Sequence, residues 1–245
     1  MSGTPAFLKF AARELRGGVR GFRVFLACLA LGVAAIAAAG STAEAFRQGL
    51  ASQAREILGG DVSVTLEQRR FTAAERAAFA RQGRTDYAVA ARAMAEAPDG
   101  ERRLVELRGV SDGYPLAGQV ELKGAPSLAA ALAPGRDASG RPVQGAAVEQ
   151  PLLDRLHLKL GEPFMVGNVP MVARAVLVSE PDRLSRGFAL GPRVLTRLPA
   201  VEAGGFLQPG LPFGETARIA LPPGRSPTAA AAQVKRDLSA GRDPG

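Results

Sequence analysis

VFLACLALGVAAIAAAGSTA, residues 24–43, is a run of 20 residues without one charged side chain. Coiled as a helix at about 1.5 Å per residue, it measures roughly 30 Å, the thickness of a bilayer's hydrocarbon core. Val24, Phe25, Leu26, Leu29, Leu31, Val33 and Ile36 each favour insertion by about 0.3–0.6 kcal/mol, and nothing in the run imposes the ~3 kcal/mol cost of a central charge. The run reads as a transmembrane helix of moderate strength. Turning ~100° per residue, it separates two faces. Phe22, Phe25, Leu26, Leu29, Val33 and Ile36 fall on one side, and Ala27, Ala30, Ala34 and Ala38 on the other. Small residues let helices approach closely in lipid, whereas bulky ones suit acyl chains. The alanine stripe is therefore expected to pack on other membrane helices. Alanine used merely as low-complexity filler gives the same string.

Residues 1–23 carry Lys9, Arg13, Arg16, Arg20 and Arg23 against Glu14, a net charge of +4. Cations beside a span stay cytoplasmic, so the five serve as topology determinants and whatever follows the span is exported. Phe7, Ala11 and Leu15 recur at helical spacing among these cations, which suits an amphipathic segment on the cytoplasmic lipid surface; a solvated tail fits equally. A cleaved signal peptide would share the basic lead, the apolar run and Ala-x-Ala sites ending at Ala39 or Ala45. The run exceeds the usual ~7–15 apolar residues of such peptides, which favours a retained span. Topology is the same on both readings.

Beyond the span, Phe46, Leu50, Ala54 and Ile57 keep a helical period until Gly59-Gly60, so residues 44–60 are expected to form a stalk helix with a glycine stop. Residues 61–245 mix both element types, an α+β pattern in which hairpins are more evident than crossover units. Val62, Val64 and Leu66 alternate as a strand, and Thr72-Ala-Ala-Glu75 is a capping box opening a helix to about Arg81. Strands are expected over Asp86–Ala95, Leu104–Val110 and Val120–Leu122, with a turn at Asp112-Gly113. The Ala/Gly/Pro-rich stretch Pro126–Pro142 reads as a helical turn and boundary loop, and 124–145 is where a division into two subdomains would fall. A short helix over Pro151–Leu156 is followed by strands Pro163–Val166 and Val169–Val178 around a Gly167-Asn168 hairpin turn. Strands near Arg193–Leu195 and Thr216–Leu221 and a helix over Pro227–Leu238 complete the series.

The composition is 47% apolar and 22% charged, with 31 Lys+Arg, 23 Asp+Glu and a net charge of +8. That balance supports a packed core and excludes wholesale disorder. A single Cys excludes an internal disulfide framework and multi-cysteine metal sites, and Cys28 lies inside the apolar run. With one His, no Trp and two Tyr, little material exists for histidine catalysis or base stacking, so no nucleic-acid partner is expected. Gly is never followed by Lys, which rules out a phosphate loop of the G-x-x-x-x-G-K-[ST] kind, and neither G-x-S-x-G nor H-E-x-x-H occurs. His157 has no nucleophile or orienting group at a recognisable spacing and reads as a structural or surface residue. Glu180-Pro-Asp182 could bind a cation, but such tripeptides are more often turns. No catalytic, cofactor-binding or metal-ligating residue is nominated, and an enzyme is not expected.

The strings RELRGGVRGFRVFLACLALGVAAIA (13–37), ILGGDVSV (57–64), LVELRGVSDGYPLAGQVEL (104–122), LLDRLHLKLGEPFMVG (152–167), VLVSEPDR (176–183) and GPRVL (191–195) resemble FtsX-like/MacB-type ABC transporter permeases, especially their YbbP-like branch. The likeness follows the family's order over most of residues 6–210. It implies a MacB-type periplasmic core domain after the first membrane helix, in the bacterial inner membrane. It also implies further permease membrane helices, a separate cytoplasmic ABC ATPase subunit, no cofactor in this chain, and work on envelope lipid, lipoprotein or protein substrates. Gly210–Gly214 departs from the family's pattern, and a single span is too few to dock an ATPase. The chain is therefore expected to be the N-terminal portion of a longer permease, or a truncated frame. The alternative reading is a membrane-anchored or secreted periplasmic binding module independent of any ATPase. An envelope hydrolase ranks third, since no nucleophile and base can be assembled.

Overall fold

The computed structural model describes residues 22–41, 49, 55, 59–137, 139–181 and 191–240. The chain divides into two compact units, Met1–Ser52 and Gln53–Gly245. In the first, helix α1 spans Phe22–Ser41, is long and apolar enough to cross a membrane, and buries none of its residues. It includes Phe22 and Arg23, the two residues before the apolar run, because Arg23 bears on where a helix enters lipid and does not interrupt its hydrogen bonding. The expected amphipathic segment before Phe22, with Lys9, Arg13, Arg16 and Arg20, lies outside the described residues, as does most of the expected stalk.

In the second unit β1 (Val62–Glu67), α2 (Ala73–Gln82) and β2 (Arg84–Glu96) come first, and β10 (Phe213–Ala220) lies between β1 and β2, antiparallel to both. Helix α2 starts as the sequence dictates. Thr72 accepts from the Glu75 N–H at 3.2 Å while the Glu75 carboxylate accepts from the Thr72 N–H at 2.8 Å, so two orphan amides are satisfied reciprocally. After β10, helix α6 (Pro227–Ala240) lies on the same side as α2. Phe71, Phe79, Ala230 and Val234 meet Val62, Ala217 and Ile219 there in one buried layer.

Between β2 and β10 the chain builds β3 (Arg102–Val110), β4 (Glu121–Lys123), α3 (Leu128–Leu132), β5 (Gly135–Arg136), β6 (Pro142–Val148), α4 (Gln150–Arg155), β7 (Pro163–Val166), β8 (Val169–Ser179), β9 (Arg193–Arg197) and α5 (Leu198–Ala203). Six of the strands close a ring of pairings, β2–β3–β9–β6–β8–β7 and back to β2. Strand β2 makes this closure possible. Its 13 residues are long enough to pair β10 along Arg84–Ala91 and still reach β7 at Ala95 and Glu96. Val89, Ala93, Val105, Leu107, Val148, Val166, Met171 and Val194 fill the interior, the alternate positions expected of a small barrel packed by its own side chains. Helices α4 and α5 each follow a strand of the ring directly and add Leu152, Leu156, Leu198 and Val201 to this core.

Sequence and structure differ in three places. Two strand pairs, β3 with β9 and β6 with β8, are parallel, so the hairpin-dominated reading understated the crossovers; partners far apart in sequence leave no local turn signal. Helix α5 was not anticipated. Its Pro199 sits in the first turn, where a missing N–H costs nothing, so this proline marks a helix start. Within Pro126–Pro142, β5 pairs with β6 as a minimal hairpin. Asp137 holds its tip, accepting from the N–H groups of Ser139 and Arg141, both at 2.9 Å, and from Arg141 Nε at 2.8 Å.

Gly145 marks a tight packing point: a Cβ there would lie 2.3 Å from the Ala131 carbonyl oxygen and 2.7 Å from that of Ala133. Gly145→Ala is expected to force α3 off β6 and cost about 1–3 kcal/mol as an overpacking substitution, measurable by chemical denaturation. A change within 0.3 kcal/mol of zero would show that α3 is not seated against β6.

Hydrogen bonds from the Arg141 and Ser139 backbone, with the Arg141 guanidinium, lower the Asp137 carboxyl from 3.8 to about 2. Because the folded value is the depressed one, its contribution to hairpin stability is complete above the ordinary value and disappears as pH falls through about 2. A carboxyl NMR titration should give a midpoint near 2 for Asp137; an ordinary midpoint would mean the tip is not held.

Candidate functional site

Strand alternation places Asp86 (β2), Arg108 (β3), Arg193 (β9) and Arg218 (β10) on the outer face of the sheet, opposite the apolar positions that fill the ring. All four are buried, as is Glu180 just after β8. Arg218 Nε donates to Asp86 Oδ1 at 2.7 Å, and the Leu116 N–H reaches Asp86 Oδ2 at 3.3 Å. Glu180 gathers the rest. Its Oε2 accepts from Tyr114 Oη at 3.1 Å and lies 3.3 Å from Arg108 Nη1, while Arg193 Nη1 donates to Oε1. Arg193 Nε lies 3.3 Å from Glu106. The guanidinium carbons of Arg218 and Arg108 stand 4.7 and 5.4 Å from the centroid of the Tyr114 ring, within cation–π range.

The charges nearly balance, as they must where water is excluded, since an unpaired buried ion costs several kcal/mol. Burial nevertheless pushes the Asp86 carboxyl above the ordinary carboxylate range, against the opposing pull of Arg218, the Leu116 N–H and Arg108. The pair therefore fixes the relative positions of β2 and β10 more than it stabilises them.

Onto this cluster the chain delivers the turn that precedes β1. Gly59 adopts φ +69°, and the Gly60 N–H donates to the Arg55 carbonyl at 3.0 Å, a left-handed turn that glycine takes without steric cost. A Cβ on Gly59 would lie 3.1 Å from Arg218 Cδ and 3.7 Å from Pro181 Cβ, so the turn passes close to both ends of the cluster. Asp61 fastens it. Its Oδ2 accepts from Arg55 Nη2 and from the Leu221 N–H, both at 2.7 Å, and its own N–H donates to the Ile219 carbonyl at 3.0 Å.

Two other features lie on the second unit. Glu215 is fully buried and accepts from the Phe71 N–H at 2.7 Å, from Arg70 Nη2 at 3.2 Å and from Arg76 Nη2, which ties the lead-in to α2 onto β10. An open cleft of about 700 Å³ includes Glu67, Ala90, Arg92, Leu104, Glu106 and Phe213 in its lining, with the exposed cross-strand pair Met94 and Leu104 near it.

The residues singled out in the sequence fall as follows. Ala27, Ala30, Ala34 and Ala38 are exposed along α1, Arg23 is in its first turn, and Cys28 is exposed on it. His157 is a surface residue at φ +51°, 4.0 Å from Glu101. Glu180 belongs to the buried cluster and is no loop ligand; Asp182 lies outside the described residues. Among the described residues no group of three or more His, Cys, Asp or Glu could hold a metal. Sequence reasoning missed Asp86, Arg108, Arg193 and Arg218. The available signal was four charges inside expected strands, each on the parity of small or apolar neighbours such as Ala88, Val110 and Leu195.

The chain matches the family model described as MacB-like periplasmic core domain over residues 24–237. It is 28% identical over 183 residues to an uncharacterized ABC transporter permease, YbbP of Escherichia coli strain K12, covering 74% of this chain and 21% of that protein. The chain thus spans about a fifth of that relative's length. Among solved structures it is similar to the extracellular domain of the noncanonic ABC-type transporter YknZ from Gram-positive bacteria (13% identity, TM-score 0.49, covering 70% of this chain and 83% of that one). It is also similar to the periplasmic region of MacB from Actinobacillus actinomycetemcomitans (11% identity, TM-score 0.45, covering 75% and 86%).

Asp86→Ala would leave Arg218 buried without its carboxylate and should destabilise the fold by about 3–5 kcal/mol. Replacing both, Asp86→Leu with Arg218→Met, should recover most of that loss in equilibrium unfolding. If the single variant unfolds like the parent, the pair is solvated and the description of this cluster fails.

Proposed function

This chain belongs to the MacB-like periplasmic core domain family, and from that premise we propose that it supplies the first membrane helix and the exported domain of an ABC-type permease subunit. The observation that carries the reading is the extent of the family match, which starts at Val24 inside α1 and runs through the folded unit to Val234 and beyond, ending at residue 237. An apolar helix and an exported domain thus occur in one family unit, in the order a permease requires.

On this reading Lys9, Arg13, Arg16, Arg20 and Arg23 hold the N-terminus in the cytoplasm, α1 crosses the inner membrane, and the second unit stands in the periplasm. Ala27, Ala30, Ala34 and Ala38 face other permease helices, and the bulky face meets lipid. The chain has no phosphate loop, so nucleotide hydrolysis falls to a separate cytoplasmic ATPase subunit. Residues 44–60 act as a stalk through which ATP-driven movement reaches the exported domain, which works on envelope lipid, lipoprotein or protein substrates. The chain itself performs no bond chemistry.

The second reading, a membrane-anchored or secreted binding module independent of an ATPase, draws support from the open cleft over Ala90, Leu104 and Phe213, a concave surface of the size ligands use. Affinity purification of the full-length gene product decides between them. The permease reading expects a complex with an ATP-binding subunit that survives only in detergent, and an intact N-terminus. A detergent-free monomer with a new N-terminus near Gly40 or Phe46 would establish the module instead. Protease added to intact spheroplasts should digest the second unit; its survival would overturn both.

A further inference from the structure

We infer that the buried cluster centred on Glu180 and Tyr114 is a mechanical relay that couples the turn at Gly59–Asp61 to strands β8 and β9. The inference deepens the stalk reading above and rests on it for its purpose, but not for its geometry.

Three observations make the cluster a connected path. The turn approaches it at two points, since a single methyl on Gly59 would meet Arg218 at 3.1 Å and Pro181 at 3.7 Å. Pro181 is bonded to Glu180, so the second approach lies beside the backbone of the residue where the cluster converges. From Glu180 contacts lead to β3 through Arg108, to β9 through Arg193 and to the Tyr114 ring. Tyr114 returns the path to Arg218, whose guanidinium lies 4.7 Å from the ring and grips Asp86 on β2. Strands β2, β3, β9 and β10, with the segment just after β8, are thereby joined by side chains on one face as well as by their backbone ladders.

Such a path transmits displacement because its members cannot part cheaply. Each ion is buried, and separating it from its partner without water costs several kcal/mol. The Tyr114 ring is held in place by its hydroxyl and by two cations, and so serves as the positioning residue between the two halves. The turn itself cannot absorb movement by sliding, because the Asp61 carboxylate and N–H fix it to Leu221 and Ile219. A small shift of the turn is therefore passed to the cluster and not dissipated in the loop.

Coupling is reciprocal, so the test reads it from both ends. The full chain, in detergent micelles and with no ATPase present, is compared with Tyr114→Phe, which keeps the ring but removes the hydroxyl bond to Glu180, and with Gly59→Ala at the other end. Backbone hydrogen exchange is followed at Asp61, whose N–H bonds Ile219, and at Glu149, whose N–H bonds Arg193. Gly167, bonded to Met94 across the ring, is the reference. Tyr114→Phe should raise exchange at Asp61 about fivefold or more, the lower end of measured couplings between sites, and Gly59→Ala should do the same at Glu149. Gly167 should stay within about twofold in both. Effects confined to each variant's own end, or equal at Gly167, would overturn the relay, the first as no coupling and the second as general loosening. Should Gly59→Ala fail to fold, Glu180→Gln takes its place, read at Asp61. A negative result leaves the permease reading intact, and failed capture of an ATPase leaves the relay intact.

Discussion

Three guanidinium groups and two carboxylates, withdrawn from water on one face of a sheet, limit how this domain can move. Arg108, Arg193 and Arg218 have their partners in Asp86 and Glu180, with Glu106 at the margin. An apolar layer in that position would allow strands to slip past one another at little cost, since dispersion contacts are non-directional. Buried ion pairs do not, because any intermediate geometry leaves a charge unsolvated. Asp86 lies in the part of β2 that pairs β10, opposite Arg218, while Arg108 and Arg193 stand on strands of the closed ring. The two substructures that share β2, the layer with α2 and α6 and the closed ring, are thus held in register by charge as well as by backbone.

What the sequence made legible follows from how locally each feature is encoded. The Thr72–Glu75 box and the Gly167-Asn168 turn are short-range devices and appear in the structure where the residues place them. The strands alternate as read, and so does the apolar run that becomes α1. Ring closure was not legible, because it depends on β7 meeting β2 across about 70 residues of chain, a relation that no window of sequence contains. The ion cluster failed for the same reason. Nothing in the strand around Arg108 announces its partner, because Glu180 comes to it from 72 positions away.

The position of Glu180 also shows how a tripeptide can mislead when weighed alone. Glu180-Pro181-Asp182 invites comparison between a cation loop and a simple turn, and both expect the carboxylate to face solvent. The structure buries it instead, with Tyr114 and two arginines around it. Two guanidinium groups, one from β3 and one from β9, and a phenol hydroxyl converge on Glu180, which lies outside both strands. Its role is to gather strands, and the proline that follows makes that point stiff, since its ring fixes φ.

Stiffness at this point matters for any account in which work arrives from the membrane. A helix transmits force along its axis, but only if its end is held, and a helix that ended in an exposed loop would bend there. Here Gly59 passes close to Arg218 and Pro181, and the residues after it are fastened by Asp61. A larger residue at Gly59 would have to adopt a left-handed backbone and displace an arginine that is itself committed to Asp86. The requirement for glycine is thus one of position as much as of conformation: the turn must come close enough to the buried charges for its movement to become theirs.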